Sequence, residues 1–213
     1  MKAKLIRFFL LLTLLIFPLA ASGCSRLQPD RYANAALDAL CGKSTVDYEQ
    51  FTGQSAADLS RTREKWLQKM ADSLIRQAGC SAASDKMKER TVSFLSMVYS
   101  KAQYSCSPGS GTDKILVEYS PMTIFQDSAE DLKEYNSSFA AGNKAGKYKK
   151  LSSQQYADSC LDGMLTILES RLGSLSYGKA VQEEITVSED DENRRTLDPA
   201  QLEKVMEGML PLS

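Results

Sequence analysis

The chain has 213 residues, 26 lysines and arginines against 27 aspartates and glutamates, and no histidine, for a net charge of −1. That balance lacks the basic excess through which phosphate-binding proteins gain affinity, and so argues against a nucleic-acid partner. Without histidine, Ser-His-Asp and Cys-His catalysis are impossible and a zinc enzyme is disfavoured, while the length suits one ordinary core.

The first segment reads as an export signal. Lys2, Lys4 and Arg7 precede the apolar run Phe8 to Phe17, and Leu19-Ala20-Ala21-Ser22-Gly23 leads to Cys24. A basic flank, an apolar stretch and small residues before a cysteine are the order of a lipoprotein signal peptide, with Ala21 standing where leucine is commonest. A transmembrane helix is the competing reading, since Leu5 to Gly23 is 19 residues with one charge; Pro18 and the small-residue end favour processing. The expectation is a signal peptide over residues 1–23, lipidation at Cys24, a tether over 24–28 and one domain over 29–213. Loss of the leader removes three basic and no acidic residues, giving a mature net charge of about −4. The expected location is the extracytoplasmic face of the cell membrane, with the N-terminal lipid as the membrane contact.

Pro29 opens a helix with Tyr32, Ala36, Leu37, Leu40 and Cys41 on one face, and Gly42 supplies a stop. Tyr48 to Gly53 reads as a connection whose Tyr48 and Phe51 reach the core. Ser55 with Asp58 starts a long helix striped by Leu59, Trp66, Leu67, Met70, Leu74 and Ala78 and closed at Gly79. A third helix from about Ser84 carries Met87, Thr91, Phe94, Leu95 and Val98. The pattern then turns to alternation. Val98 to Ser107 and Lys114 to Ser120, joined by Ser107 to Asp113, read as a β-hairpin that Pro121 ends or places at an edge.

Asp127 with Glu130, and Ser152 with Gln155, mark two more helix starts, the second a capping box. The first carries Leu132, Tyr135 and Phe139, the second Tyr156, Cys160, Leu161, Met164, Leu165, Leu168 and Leu172. Between them, Gly142 to Lys150 is a basic loop. Val181, Glu183, Ile185 and Val187 alternate in a strand that passes through the acidic run Ser188 to Asn193 to a short strand near Arg195-Thr196-Leu197. Asp198-Pro199, with Gln201, then opens a last helix burying Leu202, Val205, Met206 and Met209. This order predicts an α+β fold, an antiparallel sheet of about four strands in two hairpins covered on one face by helices.

Apart from Cys24, the cysteines are Cys41, Cys80, Cys106 and Cys160, an even set in an exported protein. Three pairings are open, and linking neighbouring segments favours Cys41 with Cys80 and Cys106 with Cys160; buried free thiols are the alternative. Glu189-Asp190-Asp191-Glu192 lacks the spacing and glycine of a calcium loop and reads as a solvated hairpin tip. Lys144, Lys147, Lys149 and Lys150 form a solubilising loop or touch an anionic polymer or lipid. Tyr99, Tyr104, Tyr119, Tyr135, Tyr148, Tyr156 and Tyr177 pack the core or line a pocket. Glu183, the odd member of an apolar strand face, is turned out by a bulge or sits as a polar group in a pocket.

Five strings, Ala35 to Leu40, Phe51-Thr52-Gly53, Val98 to Tyr104, Val117 to Phe125 and Tyr177 to Val181, resemble uncharacterised single-domain lipoproteins of gram-positive Firmicutes. The resemblance implies a lipid-anchored α+β domain outside the membrane; no activity, catalytic residue or cofactor comes with it. The function expected is non-enzymatic, the binding of a small ligand or an envelope protein. A carboxylate-dependent enzyme acting on cell-wall polymer and a structural subunit of a membrane complex are the alternatives.

Overall fold

The computed structural model describes residues 28–52, 55–189 and 195–212. The leader, Cys24 and most of the tether, together with residues 190–194 of the acidic run, lie outside the described residues. Helix α1, Pro29–Cys41, has proline in its first turn, where a missing N–H costs nothing, and buries Tyr32, Ala33, Ala36 and Leu37 with Ala35 and Ala39 beside them. Small flanking residues let it sit deep against the sheet and two helices. Gly42 closes it with φ 73°, its N–H and that of Lys43 returning to the carbonyls of Ala39 and Asp38. A Cβ at Gly42 would also lie 2.6 Å from the Arg63 guanidinium, which donates to Leu40 O at 3.0 Å and to Ser96 Oγ at 2.7 Å. Both the left-handed backbone and the space demand glycine there.

Residues read as a connection form a short helix, α2, Val46–Thr52, with none of its residues fully buried. Tyr48 and Phe51 do pack on the core, Tyr48 stacked on Tyr32 at 5.9 Å. With so few inward residues, seven positions give little periodicity to read. Helix α3, Ala56–Gln77, follows Ser55 as expected and buries Leu67, Met70, Ala71, Leu74 and Ile75. Helix α4, Asp85–Tyr99, is capped by Ser84 and buries the expected stripe plus Tyr99.

The first strand corrects the sequence reading. Val98 and Tyr99 continue the helical stripe of Phe94 and Leu95, so α4 runs through Tyr99 and strand β1 is Gln103–Pro108. An apolar residue every fourth position from Phe94 to Ala102 satisfies the helical period, and packing decides in its favour. Strand β2, Lys114–Ser120, has the predicted bounds and pairs antiparallel with β1. Helix α5, Ile124–Asp127, leads directly into α6, Ala129–Lys144. Asp127 does not cap α6. Its carboxylate accepts from Thr123 Oγ1 at 2.8 Å, and Ser128 occupies the cap position.

Helix α7, Ser153–Ser170, starts with the capping box, Ser152 Oγ taking the Gln155 N–H and the Gln155 side chain taking that of Ser152. Strand β3, Val181–Glu189, pairs with β2 and with β4, Arg195–Leu197, so the sheet order is β1-β2-β3-β4, antiparallel throughout. Helix α8, Pro199–Met209, is capped by Asp198, but Gln201 reaches across to accept the Thr186 N–H at 2.8 Å, tying the helix to β3.

Register puts Cys106, Val117 and Glu183 in one row, and Tyr104, Tyr119 and Val181 in the next. With Ile115, Ile185 and Val187 they make the inner face, covered by α1 over β1 and β2 and by α8 over β2 and β3. The outer face carries Ser105, Glu118, Gln182 and Glu184 in water. The fold is α+β, as the pattern implied.

Candidate functional site

Helix α6 buries only Phe139, although it runs sixteen residues. It is held to α7 by an ion pair and by aromatic contacts, and Leu132 packs on the edge of the core. Near its start, Asp131 pairs with Arg171 at the end of α7. Near its end, Phe139 stacks on Tyr148 at 4.5 Å and meets Tyr156 at 5.1 Å, while Tyr135 lies across Gly163 and donates to Ser159 O at 2.9 Å. A Cβ on Gly163 would be 2.2 Å from the Tyr135 ring, so glycine makes this crossing possible. These contacts fold the basic loop back onto α6 and α7, with Lys147 over the Tyr148 ring at 5.3 Å.

A groove of about 740 Å³ opens between the standing helix and the core. Leu74 of α3 and Ala78 just past its end, with Met164 and Leu168 of α7, line one side; Phe125 of α5, Leu132 of α6 and Leu212 line the other. Gln77, Gln126, Asn136, Ser137 and Lys133 supply polar groups, and among the described residues no carboxylate lines it. Its volume and apolar walls with a few polar groups match a small-molecule or peptide site. A second hollow of about 500 Å³ lies between Tyr32, Leu40 and Tyr48 on one side and Leu197 and Leu202 on the other.

The polar residues of the sheet side are engaged with one another. Tyr104 Oη donates to Asp38 Oδ1 at 2.6 Å, Asn34 donates to the other oxygen at 3.2 Å, and Lys43 lies 4.0 Å above the Tyr104 ring. Burial pushes Tyr104 well above the ordinary phenol range, so it remains the donor. Burial likewise raises Cys41 and Cys106 to about 12, which leaves both as neutral thiols. Arg90 of α4 bridges to α7, holding Glu169 through two bonds of 3.0 and 2.7 Å and Asp162 through one of 2.5 Å. The hydrogen bonds to Glu169 foremost hold the Arg90 guanidinium above its ordinary value.

The four cysteines are free thiols, and the favoured disulfide pairing is corrected. Cys41 lies by Tyr104 and Arg63, at the α1 end of α3. Cys80 follows the other end, and the helix from Arg63 to Gln77 spans about 20 Å. Cys106 faces α1 beside Asp30 and Asp38, whereas Cys160 lies on α7. The long helix carries Cys41 and Cys80, neighbours in the cysteine order, to its opposite ends. Spacing in sequence holds no signal for that.

Glu183 is not turned out by a bulge. The ladder runs through it without a bulge, opposite Val117, and its carboxylate accepts from Lys204 of α8 at 2.8 Å. None of the seven tyrosines lines the groove: Tyr99 and Tyr119 are buried in the core, Tyr177 Oη donates to Lys101 O at 2.7 Å, and Tyr135, Tyr148 and Tyr156 form the aromatic clasp. Lys144, Lys147, Lys149 and Lys150 are all exposed. Of the acidic run, Glu189 ends β3 and the following residues lie outside the described ones. Among the described residues, no group of three or more acidic or cysteine side chains is placed to hold a metal ion, and no helix is long and apolar enough to cross a membrane. The groove itself was not foreseen; the sparse apolar stripe of α6 was the signal available for it.

No family model and no curated protein matches the chain. Among solved structures it is similar to YcdA of Bacillus subtilis subsp. subtilis str. 168, provisionally described as a lipoprotein, with a TM-score of 0.55 and 18% identity over 86% of this chain. The chain spans little more than half of YcdA, 56% of its length. At that identity the likeness establishes the shared fold, an α+β domain also found in a protein provisionally placed among the lipoproteins.

Proposed function

We propose that the chain is a lipid-anchored extracytoplasmic binding protein, held at Cys24 and taking an apolar small ligand in the groove between α6 and the α3–α7 floor. The observation that carries the binding is the groove's chemistry, apolar walls with amide and hydroxyl groups among them and, among the described residues, no acidic one. Hydrolysis of a cell-wall polymer by paired carboxylates would call for two acids sharing a cleft, and the described lining of this groove has none. The anchor rests on the order of charges, apolar run and small residues before Cys24, and the description of YcdA agrees with it.

Two measurements test the two halves separately. Full-length protein should take up a fatty-acid analogue in growing cells and Cys24→Ala should not; equal labelling of both overturns the anchor. In solution, 1-anilinonaphthalene-8-sulfonate should brighten on binding the folded protein, and Met164→Lys, with an unchanged circular dichroism spectrum, should lose at least about tenfold in affinity. Equal binding by both proteins rejects the groove as the site.

A further inference from the structure

Helix α6 presents Ala129, Leu132, Lys133, Asn136, Ser137 and Ala140 to the groove, residues three and four apart along about 16 Å of helix. That spacing puts them on one side, so the groove is a slot that follows the helix axis. Alanines at both ends of the stripe leave room for an apolar chain to lie along it, and Leu132 with Leu74, Phe125, Met164 and Leu168 gives that chain its walls.

Among the described lining residues, Lys133 alone carries a charge. The acids of the same helix lie off this face: Glu130, Asp131 and Glu134 do not line the groove, and Asp131 is taken by Arg171. No described carboxylate forms an ion pair with Lys133, in contrast to Lys204, which is held by Glu183 at 2.8 Å. The Lys133 carbonyl accepts from Ser137 Oγ at 2.8 Å, a backbone contact that leaves the ammonium uncommitted. Asn136 on the same face, with Gln77 and Gln126 from the neighbouring elements, adds amide N–H donors.

From this we infer that the groove, taken as the binding site proposed above, holds a single-chain amphiphile with one negative charge, a carboxylate of the fatty-acid class. Its tail lies along the apolar walls and its head group meets Lys133. An ammonium offers three donors from a compact point charge, and a carboxylate accepts from it and from an amide N–H at the same time. One cation balances one negative charge; a phosphate monoester, near about −2 at neutral pH, would keep about half of its charge unmatched. A cationic head would face a like charge, and an uncharged one would gain from the tail alone.

The test uses the full chain with N-phenyl-1-naphthylamine, an uncharged fluorescent probe, displaced in turn by laurate, dodecanol and dodecylammonium. Lys133 is exposed, so its variants should keep the native circular dichroism spectrum. Lys133→Gln should weaken laurate about fivefold at low salt, the size of an exposed ion pair, and leave dodecanol within about twofold. Lys133→Arg should keep laurate binding, and salt should shrink the difference between wild type and Lys133→Gln. Dodecylammonium should bind Lys133→Gln no more weakly than wild type. Laurate and dodecanol changing by the same factor, or laurate unaffected by Lys133→Gln, overturns the head-group assignment while the groove stands. A probe bound equally by wild type and Met164→Lys removes the groove itself, and this inference with it.

Discussion

The sheet side and the groove side of this molecule are built from helices of similar length but opposite economy of burial. Helix α1 buries Tyr32, Ala33, Leu37 and their neighbours against β1 and β2, whereas α6, three residues longer, buries one phenylalanine and leaves a cavity along its flank. The first arrangement fills space with matched side chains; the second suspends a helix between an ion pair and an aromatic clasp. Close packing supplies stability, and a helix held at two points supplies an opening that a ligand can enter.

The largest test of this contrast compares a residue from each region. Phe94 is fully buried in the core, and Phe94→Ala should cost about 3–5 kcal/mol in urea unfolding. Leu132→Ala, on the groove wall, should cost less than about 1.5 kcal/mol, because water already reaches the site. Equal losses would place α6 inside the core and end the distinction. A smaller effect falls on the clasp: Gly163→Ala forces the Tyr135 ring away from α7 and should destabilise by about 1–3 kcal/mol, with the loss of Tyr135 quenching or its NMR contacts to Ser159 as a direct check. If stability and the Tyr135 signals are unchanged, the clasp does not hold α6.

Smaller again is Arg90→Ala, expected to cost about 1–2 kcal/mol, since the bidentate pair with Glu169 is partly sheltered while Asp162 is largely exposed. That loss should be little affected by salt, and a loss abolished at high salt would reassign the bridge to the surface class. The tyrosines give the pH counterpart. Tyr99 and Tyr104 have folded values raised by burial, so the stability they contribute is complete below the ordinary phenol value of about 10 and falls as pH rises beyond it. Urea midpoints that stay flat well above that pH would contradict their burial.

How much was legible differs by element. Ser152 with Gln155 and Asp198 with Pro199 locate their helices because capping is local chemistry, complete within four residues. Lys114–Ser120 is equally plain, its alternation matching a strand with one wet face. Val98 failed because its neighbours satisfy two periods at once, and Asp127 failed because Thr123 competes for the same carboxylate.

The chain alone determined the α+β class and most helix boundaries, since each depends on residues a few positions apart. Tertiary structure alone decided how Glu183 finds Lys204 and that a groove opens beside α6. Those outcomes depend on contacts between residues far apart in sequence, and local periodicity and spacing do not encode the distances that make them.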